Sequence, residues 1–189
     1  MALYYRVGVY TGAAATPEDS GHPLYRWPHQ GAGRIDDPQK EYLVLYLSDV
    51  PEAAVAEAFG RFPQWGDAMF EMPEGAPADA HRALFTCEGE PRVCDLDDGR
   101  RLASLGLRPS RVVTRDRDVT QEWARAIYER RAADGSREFS GVSWWSFYNP
   151  DWSSIGLWEV ALSVKDVEIL TLDSAVVREA ADEIARVIE

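Results

Sequence analysis

A carboxylate set among small residues on a short helix is the first feature of this sequence with chemical consequences. Glu57 shares its helix face with Ala53, Ala54, Gly60 and Arg61, while Val55, Phe59 and Phe62 form the adjacent apolar stripe that must seat the helix. Two placements fit that pattern: a solvated glutamate paired with Arg61, or a carboxylate aimed into a cleft. Arg34 follows Gly31-Ala32-Gly33, where small residues let a ligand approach the backbone. Its guanidinium either clamps a phosphate through two parallel hydrogen bonds or pairs with Asp36 or Asp37. Arg26, in Leu24-Tyr25-Arg26-Trp27, is a second cation beside an aromatic ring, or an exposed loop arginine. Later in the chain, Gly141-Val142-Ser143-Trp144-Trp145-Ser146-Phe147-Tyr148 offers flat rings for a planar base and a hydroxyl, Ser146, to orient it. The same residues also fit a strand whose rings fill the core.

Other chemistries lack their residues. No phosphate-binding GxxxxGK[ST], no HExxH, no GxSxG and no paired-cysteine metal spacing occurs. His22, His29 and His81 are scattered, without a third ligand at a supporting spacing, so no metal site is expected. Gly31-Ala32-Gly33 lacks the third glycine and the preceding strand of a dinucleotide fingerprint. Cys87 and Cys94, the only cysteines, read as free thiols of a reducing cytosol.

These residues need a scaffold, and its size and charge are bounded. At 189 residues the chain suits one domain, expected over 1–189. Lys and Arg total 20 against 32 Asp and Glu, a formal charge of -12 that repels phosphate backbones, so nucleic acid is not an expected partner. No apolar run long enough to span a bilayer and no secretion signal is visible, which points to the cytoplasm.

Patterning predicts the elements. Strands are expected over 2–10, 42–47, 83–87, 92–96, 141–148, 157–164 and 167–172, with an irregular segment at 11–37 and a loop at 63–77. Asp49, Pro51 and Glu52 read as the cap, first turn and capping-box partner of the helix bearing Glu57. Further helices are expected over 101–105, over 120–133, and from Asp173 or Ser174 onward with Val177, Ala181, Ile184 and Ile188 on one seam. Strands outnumber helices without alternating with them, so the fold class is α+β: a mixed, largely antiparallel sheet with flanking helices.

Four blocks together resemble the RES domain family, named for its shared Arg, Glu and Ser. LYRW at 24–27 is similar to the family's aromatic-Arg-aromatic opening, and GAGRIDDP at 31–38 to its Gly-Gly-Arg-Trp-Asn-Pro block. VLYLSDVPEAAVAEAFG at 44–60 resembles its strand and Glu-bearing helix, and GVSWWS at 141–146 its late serine block. The resemblance spans residues 24–158. It implies an ADP-ribosyltransferase-like fold and a bacterial toxin of a toxin–antitoxin pair that consumes NAD as its substrate, without a metal. Such a protein is an NAD glycohydrolase or phosphorylase cleaving the nicotinamide–ribose bond. Alternatively it transfers ADP-ribose to a protein, or is a non-catalytic interaction module on the same fold. The expected partner is an antitoxin that plugs the cleft.

Carried over by motif, Glu57, Arg34 and Ser146 are the implied catalytic residues, and Arg26, Arg34, Tyr46, Trp27 and Trp144 the implied NAD-binding ones. Glu57 would hold the ribose and stabilise its cation, and Arg34, helped by Arg26, the pyrophosphate. Tyr46 and the Trp144–Trp145 pair would flank the nicotinamide. The sequence departs from the family in two places. Ile35-Asp36 stands where the family has Trp-Asn, adding a negative charge near the expected phosphate site, and Thr120 competes with Ser146 as the match to the shared hydroxyl.

Overall fold

The computed structural model describes residues 1–189. Its strands are β1 Ala2–Tyr10, β2 Leu45–Ser48, β3 Gln64–Trp65, β4 His81–Gly89, β5 Val93–Asp95, β6 Gly141–Trp145, β7 Ser153–Leu157, β8 Leu162–Ile169 and β9 Val187–Ile188. The α-helices are α1 Pro51–Phe59, α2 Gly99–Ser104, α3 Pro109–Val112, α4 Arg117–Tyr128 and α5 Ala175–Glu183. Seven strands form one sheet in the order β5-β6-β7-β2-β1-β4-β8, with β5–β6 parallel and every other neighbouring pair antiparallel. The expected α+β class and largely antiparallel sheet are therefore present.

Strand register assigns the two faces. Leu45 opposite Leu157, Leu47 opposite Ile155 and Arg6 opposite Phe85 lie on one face, which Leu24 of the irregular segment helps to cover. Tyr5 and Ser48, Ser154, Gly156, Val142 and Trp144 lie on the other. That second face carries two separate apolar clusters. One joins α1 and α5 to Leu84, Tyr5 and Val7, and the other joins α2, α3 and α4 to Val142, Trp144 and Ile35. Between the two helix groups the middle of the sheet stays uncovered.

Several local expectations are corrected by tertiary competition. The strand expected from 42 begins only at Leu45, because the Gln30 side-chain amide takes both backbone groups of Val44, each at 2.7 Å. Asp49 does not cap α1. Its carboxylate instead accepts the Ser153 backbone N–H at 2.9 Å, tying the helix entrance to β7, and Val50 is the uncapped N-cap. Pro51 takes the first helical turn as expected. Strand β7 comes before the strand expected at 157, and the two expected strands beyond it are a single strand, β8, with an irregularity opposite Thr86 and Cys87. Helix α4 starts at Arg117 because the Asp116 carboxylate accepts the N–H groups of Asp118 and Val119. Ile188 leaves the seam of α5 and enters β9, since Ala185 turns into the left-handed region at φ 52°.

Candidate active site

The gap between the helix groups is a cavity of about 720 Å³, within the usual range for small-molecule sites. Its floor is Tyr46 and Ser48 of β2 with Ser154 of β7, one wall is α1 with Glu57, and the facing wall holds Gly33, Arg34 and Arg117. Of the expected residues, Glu57, Arg34, Tyr46, Trp144 and Ser146 line this one space.

Glu57 is exposed, but its exposure is into the cleft. Arg61 is not its partner: that guanidinium lies over the Phe62 ring at 4.9 Å. Two buried hydroxyls converge on one carboxylate oxygen instead. Ser146 Oγ donates to Glu57 Oε1 at 2.8 Å and Ser154 Oγ donates to the same oxygen at 3.2 Å. Ser146 Oγ also accepts the Tyr148 backbone N–H at 3.2 Å, which orients its proton toward the carboxylate. Glu57 Oε2 takes no hydrogen bond from the protein.

Arg34 is positioned by two segments. Its Nη1 donates to the carbonyls of Val112 and Thr114 at 2.8 and 2.9 Å, leaving Nη2 and Nε unengaged. Its own carbonyl accepts the Thr120 hydroxyl at 2.5 Å, and Gln121 Nε2 donates to Gly31 and Gly33 carbonyls at 3.0 and 2.9 Å. The first turns of α4 thus clasp the loop. This separates the two candidates for the shared hydroxyl: Ser146 touches the carboxylate, whereas Thr120 is buried and holds Arg34's backbone. Burial pulls the Arg34 guanidinium below its ordinary range, the Arg117 charge pulls it further, and Glu57 and Tyr46 partly offset both.

The departure at Ile35-Asp36 has a structural reading. Ile35 is fully buried and packs on the backbone of Gly156, where any Cβ would collide with it. The Asp36 charge is consumed inside the loop: Oδ2 accepts the Gly31 and Gly33 N–H groups at 2.8 and 2.7 Å, and Oδ1 accepts the Tyr46 hydroxyl at 2.6 Å. Asp36 therefore does not line the cavity. Burial, then this bond to Asp36, push the Tyr46 phenol far above its usual range, so it remains a donor. The hydroxyl is occupied, and only the ring of Tyr46 is offered to a ligand.

Two expected binding residues lie elsewhere. Arg26 Nη1 donates to the carbonyls of Leu43 and Trp158 at 3.3 and 3.2 Å, and the residue is outside the cavity lining. Trp27 is 56% exposed, edge-on to His29, and likewise outside it. Strand-end carbonyls capture Arg26 because they would otherwise be short of donors. Trp144 is in the lining but mostly packed in the core at 6% exposed, so Trp145 is the more available ring. Ser154 and Arg117 were missed by sequence reasoning. Ser154 lies in a stretch that reads as a polar turn, and the signal available for Arg117 was only its place just before the expected helix.

The cavity lining carries one carboxylate, Glu57, and three arginines, of which Arg6 is turned to the Pro23 and Tyr25 carbonyls while Arg34 and Arg117 stand on the wall facing Glu57, an arrangement that suits an anionic ligand with a cationic centre. The architecture is that of an α+β protein with a ready-formed ligand cavity across its central strands. The chain belongs to the RES domain family, whose profile matches residues 4–174. No curated relative matches it. Among solved structures it is similar to a chain of the crystal structure of the M. tuberculosis MbcT–MbcA toxin–antitoxin complex. The identity is 17% and the TM-score 0.57, with 97% of this chain and 89% of that chain covered, a likeness of fold. No helix is long and apolar enough to cross a membrane.

Proposed function

We propose that this RES protein consumes NAD by breaking the bond between nicotinamide and ribose, as the toxin of a toxin–antitoxin pair. The observation that carries this reading is the Glu57 carboxylate, held by Ser146 and Ser154 in the same cavity as the free edge of Arg34. When the C1′–N1 bond breaks, its electron pair goes to the nicotinamide nitrogen and neutralises it. Positive charge then develops on the ribose ring, as in glycoside cleavage. Glu57 Oε2 accepts a ribose hydroxyl and faces that charge. The two serines hold the carboxylate in place, so it need not reorganise as the charge grows. Arg34 holds the pyrophosphate, and the Tyr46 ring with Trp145 borders the flat nicotinamide. Water at C1′ yields ADP-ribose and a proton. Phosphate at C1′ yields ADP-ribose phosphate.

An antitoxin is the proposed partner. The likeness to a toxin–antitoxin complex supports it, as does the apolar lining of the cavity, where Val113 is 43% and Phe147 74% exposed. The test of the reaction is NAD loss by the purified chain, with and without phosphate, beside Glu57→Gln. The parent is expected to release nicotinamide and the variant to be inactive with its thermal midpoint kept, since glutamine retains an oxygen to accept the Ser146 and Ser154 hydroxyls. Equal turnover by both would remove Glu57 from the reaction.

A further inference from the structure

The facing wall of the cavity contains an arrangement that neither the motif carry-over nor the family match assigns. Six of the eighteen arginines, Arg101, Arg111, Arg125, Arg130, Arg137 and Arg178, pair with carboxylates. None of the three that line the cavity does, and of these Arg6 is taken by the Pro23 and Tyr25 carbonyls. Arg34 gives one nitrogen to backbone carbonyls, and the Arg117 side chain has no hydrogen bond or ion pair at all, yet both line the cavity. They are close enough for the Arg117 charge to disfavour protonation of Arg34. The clasp described above enforces this proximity, because Arg34 is bonded to Val112, Thr114 and Thr120, residues on both sides of Arg117. The end of α4 itself is not the attraction, since the Asp116 carboxylate already accepts the N–H groups of Asp118 and Val119 there.

Two like charges in one cavity, neither paired with any of the 32 acidic residues of the chain, favour an anion there. Each planar guanidinium can take two oxygens, so the pair matches two linked phosphates better than one. We propose that Arg117, with Arg34, forms the subsite for the diphosphate of a nucleotide, in the place that the motif carry-over gave to Arg26. This rests on the NAD reading above for the identity of the nucleotide, but the diphosphate site is testable without it.

The experiment is calorimetry on the full chain with ADP, inorganic pyrophosphate, inorganic phosphate and nicotinamide as probes, repeated for Arg117→Gln, Arg117→Lys and the exposed control Arg100→Gln. ADP and pyrophosphate are expected to bind more tightly than phosphate. Arg117→Gln should weaken both by about tenfold or more, as for a lost hydrogen bond to a charged group. Arg117→Lys should recover part of that loss, and nicotinamide affinity and the Arg100→Gln variant should be unchanged. In NAD turnover the Arg117→Gln defect should fall mainly on KM. A parent that binds neither ADP nor pyrophosphate, or an Arg117→Gln chain that binds them as the parent does, overturns the subsite. Loss of ADP binding in Arg117→Gln, in a parent that leaves NAD intact, supports the subsite and refutes the cleavage reaction.

Discussion

Replacing Ser146 by alanine isolates what the serine bond contributes to the carboxylate. The change removes a 2.8 Å hydrogen bond to Glu57 Oε1 and leaves the 3.2 Å bond from Ser154. A hydrogen bond to a charged group contributes about 1.5–3 kcal/mol. As that bond holds the carboxylate where it meets the ribose charge, kcat should fall by about ten- to a hundredfold when it is lost. Ser154→Ala, with the longer bond, should cost less. Because both hydroxyls share one oxygen, the remaining bond takes up part of the work in each single variant, so the double variant, left with neither, should lose more than the two single losses combined. The fold should survive: the Tyr148 N–H loses its acceptor, worth about 1 kcal/mol, or a midpoint lower by about 2–4 °C at this chain length. The assay is nicotinamide release at saturating NAD, with the folded fraction measured by thermal melting on the same samples. A Ser146→Ala chain with parental kcat would refute the argument that the serine acts through Glu57.

Other consequences concern the loop and the thiols. At Gly33 a Cβ would meet Asp36 Oδ1 and the Tyr46 hydroxyl, both at 2.5 Å, so Gly33→Ala should destabilise the chain by about 1–3 kcal/mol in a denaturant titration and displace Arg34. A parental melt with parental NAD affinity would show that the loop does not need this approach. Burial pushes the Cys87 and Cys94 thiols up from 9.0 to about 11, so both should resist alkylation at neutral pH until the chain unfolds. The unfolded chain loses these protons first. The stability that the protonated thiols supply is therefore complete below about pH 9 and is lost as pH rises through about 11. Labelling of the native chain at the rate of a free thiol would contradict their placement.

The sequence alone carried the chemistry-bearing residues. A glutamate among alanines beside an apolar stripe, a glycine-flanked arginine and a serine closing an aromatic strand are local patterns, and they depend only on spacing along the chain. The α+β class was legible for the same reason, since period-two and helical apolar patterns do not require partners to be named. What spacing does not contain is who competes for each donor and acceptor. Arg26 sits in as good a motif as Arg34, but strand-end carbonyls reach it first and remove it from the site. Asp36 looks like an unwanted charge near a phosphate until the loop N–H groups and Tyr46 are seen to absorb it. Ser154 and Arg117 join the cavity only because β7 inserts between β2 and β6 and α4 clasps the Arg34 loop. Hydrogen bonds between residues up to 132 positions apart settle most of these contests, and that assignment exists only once the chain has closed on itself.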